Sequence, residues 1–104
     1  MKPKGRPKKY RIVKKDPKIL KFSPRGKPGR PDEIELNMDE FEAIRLVDCQ
    51  GNKQHIAAKS MGVSQPTLFR ILKSARKKLA DVIVNGKIAS IEKENYIKFP
   101  TKQL

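Results

Sequence analysis

The stretch MGVSQPTLFRILKSARKKL, Met61–Leu79, decides how the rest of the chain is read. Gly62 gives the backbone freedom that a tight turn needs. Ser64 suits an N-cap, while Pro66 favours the first helical position, which would make Gln65 the cap instead. After that start, Leu68, Leu72, Ala75, Leu79 and Val82 recur at i, i+4, i+7, i+11 and i+14, a single apolar stripe along one helix. Counting about 100° per residue from Leu68, Arg70, Lys73 and Lys77 fall within about 40° of the opposite face. The helix is expected to run to about Asn85, where Asn85-Gly86 closes it.

Working outward, a shorter helix is expected from about Lys53 to Met61, with Ile56, Ala57 and Met61 facing inward and Gly62 ending it. Upstream, Asn37 followed three residues later by Glu40 fits a capping box. Phe41, Ile44 and Val47 then share a face, and Gly51 supplies the stop. Short β-favouring pieces flank these helices: YRIV, ILKF, IEL (Ile34–Leu36) and IASI (Ile88–Ile91). The expected fold is mainly α, a three-helix helix-turn-helix of the winged-helix-like class with short strands from both arms. Three parts are expected: a basic arm over 1–31, the helical unit over 32–87, and a strand and tail over 88–104.

Charge is segregated along the 104 residues. Residues 1–31 carry 13 Lys/Arg against one acid, together with six of the eight prolines. Residues 32–52 carry seven acids against one Arg, and residues 53–87 carry eight Lys/Arg against Asp81. Clustered cations repel one another unless a polyanion neutralises them, so nucleic acid is the first candidate partner and an anionic membrane surface the second. No apolar run approaches membrane-spanning length and no N-terminal apolar signal core is present. The expectation is a cytoplasmic, nucleoid-associated protein that neither enters nor crosses a membrane.

Two helices joined by a tight turn, the second basic on its free face, describe a unit that lays that helix in the DNA major groove. Ala57 and Ala58 permit close helix approach, and Val63 plugs the space between. Arg70 is the foremost base or phosphate contact, because its fork bonds bidentately to guanine. Gln65 and Thr67, in the first turn, are expected base readers; Lys73 and Lys77 are expected on phosphates. Ser64 and Gln54 complete this set. The plain alternative for Arg70, Lys73 and Lys77 is a solvated helix face, and Phe69 is expected to pack at the edge of the core. A second contact comes from KPKGRPKK, Lys2–Lys9, in which Gly5-Arg6-Pro7 between lysines is similar to an AT-hook. There Arg6, Lys8 and Lys9 would lie along the A·T minor groove. Its alternative is a basic tail attracted to any polyanion.

Enzymatic chemistry has little support. One histidine, His55, and one cysteine, Cys49, make neither a zinc site nor a His-based catalytic centre. Cys49 permits no intramolecular disulfide and reads as a small packed residue. The acids of 32–52 alternate with cap and solvent positions, so no catalytic carboxylate pair is expected. The expectation is a non-enzyme without metal or cofactor.

The blocks MDEFEAIRLVD, AAKSMGVSQPTLFRILKSARKKLAD and NGKIASIE, with GRPKKYR near the start, resemble a family of small predicted DNA-binding proteins from prokaryotes. In that family the helix-turn-helix is similar to region four of sigma factors. The resemblance spans roughly residues 3–92 and implies a sigma-region-four-like unit and a DNA-binding role, with no particular target. Many members carry a cysteine where Tyr10 stands, so no redox or metal role transfers to that position. Members usually carry Ser or Thr where Lys53 stands, which leaves Asn52 to cap the second helix. Some members continue into a domain related to iron–molybdenum cofactor-binding proteins, which is not expected here.

The leading expectation is sequence-specific binding of double-stranded DNA by a transcriptional regulator. A homodimer is expected to form through the end of the long helix, Ala80–Asn85, and the IASI strand. One alternative is an RNA- or ribosome-associated basic protein. RNA readers favour exposed aromatics, and only six aromatic residues exist here. Another is an interaction module that docks a basic partner on the acidic first helix.

Overall fold

The computed structural model describes residues 11–26, 29, 31–92 and the backbone of 97–98. Its elements run β1 (Ile12–Val13), β2 (Lys21–Phe22), β3 (Glu33–Asn37), α1 (Met38–Ala43), α2 (Gln54–Met61), α3 (Gln65–Asn85), β4 (Ile88–Glu92) and β5 (Ile97–Lys98). Helix makes up about half of the described residues, and none of these helices is long and apolar enough to cross a membrane.

Local chemistry accounts for the helix starts. Asn37 and Glu40 form the capping box of α1. The Asn37 backbone N–H donates to Glu40 Oε1 at 2.8 Å. Ser64, not Gln65, caps α3: its Oγ accepts from the Thr67 backbone N–H at 3.2 Å. Pro66 therefore falls in the second helical position, where its missing N–H still costs nothing. Lys53 caps α2 through backbone alone. Asn52 does not take that role; its side-chain amide donates instead to Gln50 Oε1. Gly62 ends α2 at φ +68, and a Cβ there would meet Ile12 Cδ1 at 3.3 Å. Both conformation and space therefore favour glycine.

Past Ala43, α1 continues as a π-helical segment, Ile44–Cys49. Its wider i→i+5 winding turns fewer degrees per residue, and by Cys49 the side chain has left the buried face. The expected packed cysteine is consequently exposed.

Two apolar clusters sit along α3. The first joins Ala43, Leu46, Ala57, Ala58, Met61, Leu68, Ile71 and Leu72, with Val63 packed against it. The second joins Val13, Leu36, Met38 and Ile91, with Phe41 and Leu79 at its side. The α3 stripe is as expected, buried at Leu68, Leu72 and Ala75 and half-buried at Leu79 and Val82. Ile56 departs from expectation. The buried side of α2 is set by Ala57, Ala58 and Met61, which places Ile56 on the far side of the helix. It is 47% exposed.

Strand β4 lies at the centre of a three-stranded sheet, antiparallel to β2 and parallel to β3, with Ile34 opposite Ala89 and Leu36 opposite Ile91. A separate pair joins β1 and β5 in parallel. Both long sides of the IASI strand are therefore taken within the chain, which removes it as a free edge for a second copy. The stretch over 1–31, read as an arm outside the core, contributes β1 and β2, and Val13 is fully buried. Two of its short apolar runs find partners far along the chain, which outweighs their prolines. KPKGRPKK, with Arg6, Lys8 and Lys9, lies outside the described residues.

Candidate nucleic-acid interface

The free face of α3 is built by what occupies its other side. Leu68, Leu72 and Ala75 press into the core, and Arg70, Lys73 and Lys77 point the opposite way, all three outside the buried set. Among the described residues none of the three has a carboxylate within ion-pair distance. Gln65 and Ser64 are exposed at the start of the same helix, whereas Thr67 and Gln54 are half-buried.

The first turn of α3 is organised by hydrogen bonds. Ser64 Oγ donates to Thr67 Oγ1 at 3.0 Å, and Arg70 Nη2 donates to the same Thr67 oxygen at 3.3 Å. With its hydroxyl engaged from both sides, Thr67 serves better to aim Arg70 than to read a base. Phe69 is 53% exposed on the flank of this face and not packed at the core edge as expected. It lies about 100° from the stripe, and no other described element covers that flank. Its exposure was legible only from tertiary packing.

Three other cations, Arg11, Arg45 and Lys78, are held by the acids of α1. Arg45 donates to Glu42 through Nε and Nη2, both at 2.8 Å, and the Lys14 backbone N–H donates to Glu42 Oε2 at 3.1 Å. The hydrogen bonds to Glu42 raise the guanidinium of Arg45 above its ordinary value, against the opposing effect of burial. Glu40 accepts from Lys78 Nζ at 2.8 Å and from Ser74 Oγ at 2.6 Å. Arg11 Nε stands 3.2 Å from Asp39 Oδ2. Asp39, Glu40 and Glu42 are all buried, although the acids of 32–52 are expected to alternate between cap and solvent positions; only the cap role of Glu40 is found. A buried carboxylate is tolerated only when paired and hydrogen-bonded. Here the pairing also clamps α3, β1 and the end of α1 together. The three carboxylates are thus turned inward and unavailable for docking a basic partner.

One further pair is exposed. Arg76 grips Asp48 with Nε at 3.0 Å and Nη2 at 2.6 Å, joining the π-helical segment to α3. The hydrogen bonds from Arg76 hold the Asp48 carboxyl below its ordinary value.

Among the described residues no group of three or more His, Cys, Asp or Glu could hold a metal ion. His55 is exposed near the start of α2. The arrangement offers a strip of donors without ion-pair partners among the described residues, suited to a surface rich in anionic oxygens.

Fold and site together define a small three-helix protein with a mixed β-sheet and a basic helix face. The chain belongs to the family described as "Protein of unknown function DUF134", which it matches over residues 1–99. It is 46% identical over 99 residues to a UPF0251 protein of Thermoanaerobacter sp. (strain X514), covering 94% of this chain and 88% of that relative. A UPF0251 protein of Methanococcus vannielii is 44% identical over 89 residues, 85% of this chain and 68% of its own length. Another, from Prosthecochloris aestuarii, is 47% identical over 89 residues, again 85% of this chain but 57% of its own length. No solved structure matches.

Proposed function

We propose that the protein binds double-stranded DNA sequence-specifically as a transcriptional regulator. In this reading α2, the turn at Gly62-Val63 and α3 act as a helix-turn-helix of the winged-helix-like, sigma-region-four-like kind. The observation that carries it is the sorting of cations: Arg11, Arg45, Arg76 and Lys78 are matched to acids, while Arg70 and Lys73 on the outer face of α3 are not, and Lys77 beside them has only the nearby charge of Asp81. A folded chain that gathers cations on one helix face without ion-pair partners gains most from a polyanion that supplies the counter-charge. A helix face, rather than a flat sheet bearing aromatics, favours the duplex major groove over single-stranded RNA.

Arg70, held by Thr67, is the base-reading side chain, with Gln65 beside it at the helix start. Exposed Phe69 is placed to meet a thymine methyl group. Lys73 and Lys77 follow the phosphates, with Ser64 and Gln54 at the margin of the interface. The segment bearing Arg6, Lys8 and Lys9 adds an anchor in the minor groove. A homodimer would supply the second half-site. With IASI internal to the sheet, its interface is confined to the end of α3, where Ile83 and Val84 are 80% and 77% exposed.

The test is selection of bound fragments from random double-stranded DNA at moderate salt, followed by affinity against salt concentration. A recovered common motif supports the proposal. Equal affinity for all sequences, or preference for RNA of any sequence, refutes it. Trimming residues 1–9 is expected to weaken binding to every sequence and to flatten the salt slope by roughly 0.9 for every phosphate no longer neutralised.

A further inference from the structure

On the side of the molecule away from the outer face of α3 lies a cavity of about 440 Å³. Its floor is almost wholly apolar, made by Leu36 of β3, Phe41 of α1, Ile44 of the π-helical segment, Leu79 of α3 and Ile91 of β4. Ile19 and Phe22, on and beside β2, form its mouth and are 52% and 53% exposed. Pockets that take small ligands have this size and this apolar lining, with a few polar groups at one end to fix orientation.

The rim has a definite charge. Lys15 and Lys18 border the cavity, are exposed, and have no carboxylate partner among the described residues. Arg45 also borders it, but its charge is matched by Glu42. Asp16, the one rim acid, has an interaction of its own within the chain, and one acid against two lysines leaves the rim positive on balance. An apolar chamber with a net positive entrance is complementary to a molecule with a greasy body and one anionic end.

We propose that this cavity is a binding site for a small amphipathic carboxylate, of the medium-chain fatty-acid kind, whose tail fills the chamber and whose head meets Lys15 and Lys18. Because the floor joins α1, α3 and the sheet, an occupant braces the elements that support the basic helix face. Binding is nonetheless a property of this site alone and is read without DNA.

Decanoate, well below its micelle-forming concentration, is titrated into the full chain by calorimetry beside decylammonium, which has a similar body and the opposite charge. One decanoate per chain is expected, with decylammonium clearly weaker. Lys15→Glu with Lys18→Glu is expected to weaken decanoate by about fivefold or more, the loss of two partly exposed ion pairs. Ile19→Glu, at an exposed position that the fold does not need, is expected to abolish binding by placing a charge in the mouth. Circular dichroism checks that each variant is folded. Equal binding of the two probes overturns the proposal, as does adsorption of several decanoates that ignores Ile19→Glu. Absence of binding to the full chain also overturns it.

Discussion

Glu42 is fully buried, yet it is bracketed by an arginine fork and a backbone N–H from 28 positions earlier. Such a group stabilises only while its partners remain, because each was desolvated to meet it. Glu42→Gln keeps the size and removes the charge, leaving Arg45 half-matched. It is expected to cost about 2 kcal/mol of folding free energy in urea denaturation. Arg70 is the opposite case, an exposed cation with a hydroxyl to aim it and no acid to satisfy it. Arg70→Ala is expected to leave stability within about 0.5 kcal/mol of the parent, as exposed substitutions do. On selected DNA it is expected to cost about 1–3 kcal/mol and to relax preference at one base position. Equal loss on selected and random duplexes would place Arg70 on a phosphate. The capping pair Asn37 and Glu40 was legible in the sequence because both partners lie within one turn. That Glu40 also holds Lys78, 38 positions away, was not.

At the scale of elements, the α3 stripe and its boundaries follow from local spacing. The φ +68 turn at Gly62 and the closing Gly86 are dictated by nearest neighbours, while the choice of Ser64 over Gln65 as the cap was decided by the structure. The π-helical end of α1 escaped the sequence because its apolar residues suit α-helical spacing as well. Its attachment to α3 through Asp48 and Arg76 has a consequence for pH. The Asp48 carboxyl is lowered from 3.8, so the folded state favours the charged form. Stability from this pair is therefore complete above about pH 3.8 and is lost as pH falls through the lower folded value. Asp48→Asn is expected to cost about 0.5 kcal/mol near neutrality, the usual worth of an exposed pair, and nothing at the lowest pH. Thermal melts of parent and variant across the acid range should converge. Curves that stay parallel down to full protonation would show that the pair contributes through packing and not charge.

For the whole molecule, α3 is the common wall of both apolar clusters, and it is 21 residues long. At the α-helical rise that length spans roughly 30 Å. Its first half packs on α2 and carries Arg70 and Lys73, while its end leaves Ile83 and Val84 in water. If two copies join there, Val84→Glu is expected to shift light scattering from dimer to monomer without lowering the melting temperature of the monomer. A monomeric parent at working concentration would remove this interface. The sequence by itself determined the three helices, the capping box of α1, the glycine stops and the basic face, because each depends on neighbours within about four positions, the reach of one helical turn. Only the tertiary structure decided that the acids of α1 are buried, that IASI lies mid-sheet, and that Ile56 and Phe69 are exposed. These depend on which surfaces meet across the chain, where a pairing tens of residues away outweighs local preference.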